Sequence, residues 1–199
     1  MSATPPPLAG IAVRPMRADA RRNREKVLEA ARAVFAADGQ DAQMPDIAKR
    51  AGVGVGTVYR HFPTKEALIE ALARDHFERL ADGAEATAAR EGDPWALLLT
   101  LVHACGERCA NDRGLAAAVG GNRDILADVA AEQHRLRAAT TSLLERGKAS
   151  GQVRADATMD DVSMLMCSLA KIADMENDGR EGFSWRRFAD IAFEGLRAR

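Results

Sequence analysis

The segment of residues 47–68 contains the side chains best suited to bind a polyanion. Thr57, Tyr59, His61 and Lys65 can each donate a hydrogen bond to a phosphate. Lys65 begins a predicted helix, where unpaired N–H groups disfavour a cation by up to about 1 kcal/mol. The same N–H groups together with the ammonium would bind a phosphate well. The alternative is a surface lysine that solvent and its acidic neighbour tolerate.

A second group of side chains in this segment could read base edges. Val55 and Arg60 project from the same short predicted helix and could read the major groove, Val55 through a thymine methyl group. Gly56 weakens that helix by roughly 1 kcal/mol relative to alanine, and close approach of the backbone to DNA would compensate. Tyr59 is the only tyrosine of the chain. Its hydroxyl could reach a phosphate or a base edge, and the alternative is a ring at the edge of the core.

Capping and turn residues predict the helices that position these side chains. Pro45 suits the first turn of a helix that Gly52 ends. The next helix spans about residues 55–61, since a residue that precedes proline is disfavoured in helical geometry. Thr64 then caps a fourth helix. Together with a first helix at about residues 20–38, the two short helices form a helix-turn-helix unit.

The composition predicts an all-helical protein. The 199 residues are 47% hydrophobic, enough for a buried core, and strand signals are nearly absent. The net charge of −1 hides a basic front, +5 over residues 1–65, and an acidic remainder, −6 over residues 66–199. This asymmetry suggests that the front of the chain meets a polyanion.

Helix signals continue to the C-terminus and bring the expected total to about nine helices. The fourth helix runs on through Leu80, and the pair Asp93-Pro94 opens a fifth. Further helices are predicted at about residues 113–119, 123–150, 158–178 and 184–198.

The segment from about Gln43 to Leu72 resembles the DNA-binding signature of TetR/AcrR-family transcriptional regulators. It contains in order an Ile-Ala pair, Ala-Gly-Val, Gly-Thr-Val-Tyr-Arg-His-Phe and Lys-Glu-Ala-Leu. The resemblance implies an N-terminal three-helix helix-turn-helix DNA-binding domain and a variable C-terminal helical domain, in a homodimer that usually represses. The implied phosphate contacts are Gln43, Thr57, Tyr59, His61 and Lys65, and the implied base-facing residues are Val55, Gly56, Tyr59 and Arg60.

The resemblance also divides the chain and shows two departures from the family pattern. We expect a disordered basic arm at residues 1–18, a DNA-binding domain at 19–64 and a ligand-binding and dimerisation domain at 65–199. Gly54 stands where a serine commonly caps the recognition helix, and glycine is an acceptable cap. Gln43 stands where threonine is usual.

The last two predicted helices carry more apolar surface than one contact requires. The apolar residues of the last helix occupy an arc of roughly 200°, and an ordinary half-buried helix needs about half that. We predict a four-helix interface between two copies of the chain, and the alternative is a deeply buried helix in a monomer. The predicted interface residues are Val162, Leu165, Leu169, Trp185, Phe188, Ala192 and Gly195.

A ligand pocket is expected among the fourth to eighth helices. Its candidate residues are chosen by type alone, and aromatic or methionine residues at helical spacing belong to a core more often than to a pocket. The candidates are Phe77, Trp95, Leu98, His103, Met164 and Met175.

The three cysteines raise the question of a metal or redox site. His103, Cys105 and Cys109 share a predicted helix, but no four-ligand set is present. A buried free cysteine usually behaves as a small hydrophobe, so we predict neither a metal nor a cofactor. An odd number of cysteines favours a reducing cytoplasm, and no apolar run is long enough for a membrane span.

The sequence therefore favours a ligand-responsive repressor that binds a palindromic double-stranded DNA operator as a homodimer, with an unknown small-molecule effector. The alternative is a cysteine-based redox or metal-sensing helical interaction protein, whose response thiol blocking or chelation would abolish. An enzyme is not predicted, because no catalytic constellation stands at a reactive spacing. The glycine-rich stretch 52–57 lacks the preceding strand and the Gly-Lys-Ser/Thr of a nucleotide loop.

Overall fold

The described part of the chain is helical, as the composition predicts. The computed structural model describes residues 13–112, 115 and 123–198, and these contain one isolated antiparallel bridge, Val153 to Arg197, but no β-strand. None of the described helices has the length and apolar character needed to span a bilayer. Numbered in chain order, the described helices are α1 Val13–Asp38, α2 Met44–Ala51, α3 Val55–His61, α4 Lys65–Ala88, α5 Pro94–Asn111, α6 Arg123–Asp128, α7 Ala130–Ala149, α8 Met159–Asn177 and α9 Trp185–Glu194.

The first of two hydrophobic cores lies among α1, α2, α3 and the first half of α4. Apolar residues spaced three or four apart give each helix one buried face. Ile125 of α6 and Val129, which follows that helix, complete this core from outside the helix-turn-helix unit. The largest fully buried side chains of this core are Val27, Phe35, Ile47, Val58, Leu68 and Val129.

The second core lies among the end of α4 and α5, α7, α8 and α9. Trp185 of α9 packs directly on Gly106 of α5, where an added Cβ would come within 2.4 Å of the indole ring. The indole therefore requires a glycine on α5. The fourth helix belongs to both cores, and its Phe77 packs against each of them.

Several helix bounds differ from those predicted. Helix α1 begins at Val13 rather than about Ala20, because Pro15 stands in the first turn, where a missing N–H is tolerated. Residues 13–18 of the predicted disordered arm are thus helical, while residues 1–12 lie outside the described residues. Most of the helix predicted at residues 113–119 also lies outside them.

The long helix predicted over residues 123–150 is two helices, α6 and α7. Val129 leaves helical geometry between them, with ψ of 14°. The break lets Val129 point into the first core while α7 packs along α4 in the second. Helix α9 ends at Glu194, four residues before the predicted end. The residues after Gly195 instead pair with the chain near Val153, where Arg154 N donates to Leu196 O at 2.9 Å.

Candidate nucleic-acid interface and internal cavity

Helix α3 has the predicted bounds and is held by very few apolar contacts. Val58 is its only buried residue. Phe62 follows the helix in extended geometry, as the next residue, Pro63, requires, and its buried ring secures the C-terminal end. Two anchors on one side leave the remaining surface of α3 exposed or half-buried.

The turn that joins α2 to α3 requires a glycine. Gly52 has a φ of +66°, and its N–H is directed at the carbonyls of Ala48 and Lys49. A side chain in this left-handed geometry is unfavourable by about 1–2 kcal/mol. The N-cap Gly54 has an ordinary φ of −69° and supplies no side-chain cap. The conformation at Gly54 therefore does not require glycine.

The outward side of α3 combines apolar and polar groups. Val55 is 40% and Tyr59 46% exposed, and both are among the few large hydrophobic side chains exposed in the described part of the chain. Gly56 and Arg60 are also exposed, and Thr57 and His61 are half-buried. The residues predicted to face bases thus share the solvent side of one helix, as a groove-reading surface requires.

The two predicted phosphate contacts outside α3 have local partners. Lys65 is the first residue of α4, after the N-cap Thr64, whose hydroxyl accepts from Ala67 N at 3.1 Å. The Lys65 ammonium lies 5.6 Å from the centre of the Phe35 ring, within cation–π range. Gln43 is the N-cap of α2, and its amide donates to Asp41 O at 2.8 Å. A phosphate contact from Gln43 would have to replace that bond.

A part-buried charge cluster connects the helix-turn-helix unit to the rest of the chain. Arg32 of α1 forms an ion pair with Asp75 of α4, and its Nε lies 3.5 Å from Oδ1 of Asp112 at the end of α5. His76 Nδ1 donates to Asp112 Oδ2 at 2.6 Å, and Arg108 Nε lies 2.9 Å from the same oxygen. Sequence analysis did not identify this charge cluster, which consists of Arg32, Asp75, His76, Arg79, Arg108 and Asp112.

Asp112 remains ionised in spite of its burial. Burial by itself raises the pKa of Asp112. The hydrogen bond from His76 and the charges of Arg108 and Arg32 lower it by more than burial raises it. The net result is a pKa below the usual value. The carboxylate is therefore one of the two anions that pair with the guanidinium of Arg32 in α1, and Asp75 is the other.

A cavity of about 620 Å³ lies among α4, α5, α7 and α8. This volume is in the range of small-molecule sites. Most of its wall is apolar, and His76 and Asp112 of the charge cluster are part of that wall. The apolar residues that line it are Phe77, Leu80, Leu101, Val102, Leu115, Leu136, Met159, Val162, Met166 and Ala170.

Phe77 alone of the six predicted ligand contacts lines this cavity, and the other five assignments are corrected. Trp95 and Leu98 are buried in the second core. His103 binds Asp190 at 3.0 Å and lies against the Trp185 ring. Met164 is 63% exposed, and Met175 is half-buried without lining the cavity. Residue type could not distinguish the core from the cavity wall, because both are apolar.

The seven predicted interface residues separate into two groups. Val162, Leu169 and Trp185 are buried in the core of their own chain, and their assignment to an interface is corrected. Helical periodicity shows that an arc is apolar, but not which part of it faces the chain's own core. The residues that remain accessible are Leu165, Phe188, Ala192 and Gly195.

All three cysteines line the cavity, and the chemistry of two of them, Cys105 and Cys109, does not favour a sensor. Burial, and next the neighbouring Cys109, raises the pKa of Cys105 to about 12. Burial, followed by the charges of Asp112 and Asp174, raises the pKa of Cys109 to about 11. Thiols with such pKa values stay protonated and react slowly. In the described ranges no group of three His, Cys, Asp or Glu side chains could hold a metal ion.

Comparison with known protein families gives two matches. Residues 27–72 match the N-terminal domain described as "Bacterial regulatory proteins, tetR family". Residues 93–198 match the domain described as "Transcriptional regulator SbtR-like, C-terminal domain". The first match includes the end of α1, α2, α3 and the start of α4, and the second includes α5 to α9.

Individual relatives agree with these matches. The HTH-type transcriptional repressor KstR of Mycolicibacterium smegmatis is 39% identical over 84 residues, and this alignment spans 41% of each chain. The crystal structure of a TetR transcription regulatory protein from Mycobacterium vanbaalenii is 37% identical, covers 92% of this chain and all of its own, and has a TM-score of 0.69. The regulator SCO0520 from Streptomyces coelicolor is 31% identical over 88% of this chain and 98% of its own, with a TM-score of 0.66.

Gly56 provides a test of the exposed side of α3. No atom lies within 4 Å of a Cβ added there, and the residue is exposed in a helix, so Gly56→Ala should stabilise the fold by about 1 kcal/mol. If α3 lies against DNA with its backbone close to the duplex, the same methyl group should weaken DNA binding about tenfold. Urea unfolding and fluorescence anisotropy with a labelled duplex measure the two effects.

Gly83→Ala is the matched control, since Gly83 is exposed in the interior of α4 with equally open surroundings. Gly83→Ala should give a similar stabilisation and leave DNA affinity unchanged. Equal DNA affinity for both variants would contradict the assignment of Gly56.

Proposed function

Because the chain belongs to the TetR family of bacterial transcriptional regulators, we propose that it is a repressor that binds a palindromic operator as a homodimer and releases it when a small molecule enters the cavity. The DNA-reading part rests mainly on α3, which buries only Val58 and turns Val55, Tyr59 and Arg60 to solvent. Each copy would place α3 in the major groove, with the two helices about 34–36 Å apart. A cytoplasmic location would follow from this target.

A DNA titration at several salt concentrations tests the interface. The probe is a duplex selected by the protein from a random pool, and binding should weaken steeply with salt as counterions are released. Lys65→Ala should weaken all duplexes about equally and reduce the salt slope by about 1, whereas Arg60→Ala should also relax base preference by about 1–3 kcal/mol at one position.

Arg90→Ala is the control for this titration, because Arg90 is exposed after α4 and remote from α3. Arg90→Ala should leave both the affinity and the salt slope unchanged. Selection of a duplex without a repeated half-site would count against a symmetric dimer on DNA.

The homodimer is proposed from the outer surface of α8 and α9. Ile191 is 60% and Met164 63% exposed, and both helices have further half-buried apolar residues, Leu165, Phe188 and Ala192. Exposed apolar surface of this kind on paired helices is typical of subunit interfaces. Gly195, also exposed, would let a second copy approach closely.

Ile191→Glu should convert the dimer to monomers. A glutamate buried at the interface without a partner would weaken association by several kcal/mol, at least about 100-fold. Sedimentation equilibrium measures the association, and circular dichroism shows whether the monomer is folded. Ala138→Glu, on the exposed side of α7, should remain dimeric. An Ile191→Glu protein with wild-type association would place the interface elsewhere.

The charge cluster is the proposed connection between the cavity and α3. Asp112 and His76 form part of the cavity wall, and Asp112 also holds Arg32 of α1. An occupant of the cavity that displaces Asp112 would release α1, on which α2 and α3 pack. This connection works only if the occupant binds the two arrangements with different affinities.

Asp112→Asn tests that connection without an effector. The amide keeps the size of the side chain but loses the charge that holds Arg32, so the free energy of unfolding should fall by about 2 kcal/mol. In the wild type, DNA binding should slow amide hydrogen exchange in residues 105–112, and Asp112→Asn should remove that effect while DNA is still bound.

Arg135→Gln is the control, because Arg135 joins α7 to Asp82 and Glu85 of α4 through ion pairs that do not include α1. It should preserve the effect of DNA on residues 105–112. If Asp112→Asn also preserves the effect, the charge cluster is not the connection.

A further inference from the structure

The composition of the cavity wall indicates an occupant with a largely apolar body. Aliphatic, methionine and phenylalanine side chains supply most of the lining, together with the three thiols. Burial of such surface is worth about 25 cal/mol per Å². The affinity of an occupant would therefore come mainly from hydrophobic contact, and the few polar groups would select its chemistry.

Most charged groups of the wall are already compensated by other side chains. Asp112 is held by His76, Arg108 and Arg32. The guanidinium of Arg137 donates to Asp160 Oδ1 at 2.8 Å and to Ser163 Oγ at 3.2 Å. An anionic occupant would have to compete with Asp160 for Arg137, and it would find no other arginine or lysine in the described wall.

Asp174 of α8 is the exception. Its carboxylate lines the cavity and forms no hydrogen bond or ion pair with any residue of the described ranges. Burial raises the pKa of Asp174, the charge of Lys171 lowers it and that of Asp178 raises it, with a net increase. Lys171 is exposed and does not line the cavity. The carboxylate is thus half-buried without a hydrogen-bond partner among the described residues, so a cation or donor in the cavity would stabilise it.

Two helix C-termini add to the negative potential near Asp174. Helix α5 ends at Asn111 and α8 at Asn177, and Asn177 Nδ2 donates to Ala110 O at 2.8 Å, which joins the two ends. Each helix C-terminus carries about half a negative charge. The charges of both Asp112 and Asp174 act on Cys109, so these groups lie near one part of the wall.

We infer that the cavity binds an apolar molecule with one positively charged nitrogen, such as a protonated alkylamine, and that the nitrogen pairs with Asp174. This inference rests on the proposed role of the cavity as the effector site. The amine would donate charge-assisted hydrogen bonds to the carboxylate, and its hydrocarbon body would fill the aliphatic part of the cavity. Asp174 would then determine the charge of the effector, while the remaining wall determines its size.

Three ligands of equal chain length test this inference. Decylammonium, decanol and decanoate compete with the uncharged fluorescent probe N-phenyl-1-naphthylamine for the full-length protein at neutral pH. Decylammonium should bind about tenfold more tightly than decanol, as a charge-assisted hydrogen bond predicts, and decanoate most weakly. Asp174→Asn should bring decylammonium to within about threefold of decanol and leave decanol unchanged, and Asp174→Glu should keep the preference.

Asp178→Asn is the matched control, because Asp178 ends the same helix and is exposed outside the cavity. It removes the same charge and should keep the preference for decylammonium. The inference is wrong if decanoate binds most tightly, if none of the three displaces the probe, or if Asp178→Asn acts as strongly as Asp174→Asn.

A separate measurement distinguishes this inference from the proposed function. DNA affinity is measured with and without saturating decylammonium. Asp174-dependent binding that leaves DNA affinity unchanged would support the ligand class and contradict the effector role of the cavity. DNA binding by a protein that fails the competition assay would leave the regulator in place and overturn the ligand class.

Discussion

The position of α1 on α4 and α5 depends on one guanidinium held between two carboxylates, in addition to the apolar packing of the first core. Among the described side chains of α1, Arg32 is the only one that joins the charge cluster, and it contacts both Asp75 and Asp112. Separating these part-buried side chains would cost free energy, because each would become a part-buried charge without a partner. The pairing therefore specifies one position of α1 on α4 and α5 more sharply than apolar packing, which tolerates sliding.

Helix α4 connects the position of α1 to the rest of the chain, because α4 contributes to both hydrophobic cores. Its first half supplies Leu68 and Leu72 to the first core, and its second half supplies Leu80 and Ala84 to the other. No loop separates the two halves, so α4 cannot shift in one core without shifting in the other. The charge cluster lies at the middle of α4, beside Phe77, which packs on both cores. Phe77 is the only described side chain that packs on both cores, and it also lines the cavity. A change at the cavity wall would therefore occur next to the junction of the two cores.

Local signals predicted the elements that position the interface, but not the contacts that connect it. The end of α3 follows from the proline after Phe62, and the start of α5 follows from Asp93, both within a few residues of the helix end. The pairing of Arg32 with Asp75 spans 43 positions, and no periodicity encodes it. The cavity escaped prediction for the same reason, since its lining comes from α4, α5, α7 and α8. In α9 the wide apolar arc was recognised, but only tertiary packing shows that Trp185 faces inward.

Two helical glycines, Gly106 and Gly56, differ in what surrounds the position of an added Cβ. Both weaken their helices by about 1 kcal/mol relative to alanine. At Gly106 the reason lies within the chain, because the Trp185 ring occupies the place of a side chain. At Gly56 no atom of the chain lies within 4 Å of a Cβ, and φ is not in the left-handed range. The fold therefore requires glycine at neither residue 56 nor residue 83, and only DNA binding by the two alanine variants distinguishes them. The exposed Val55 and Tyr59 on the same helix support the proposed approach of α3 to DNA.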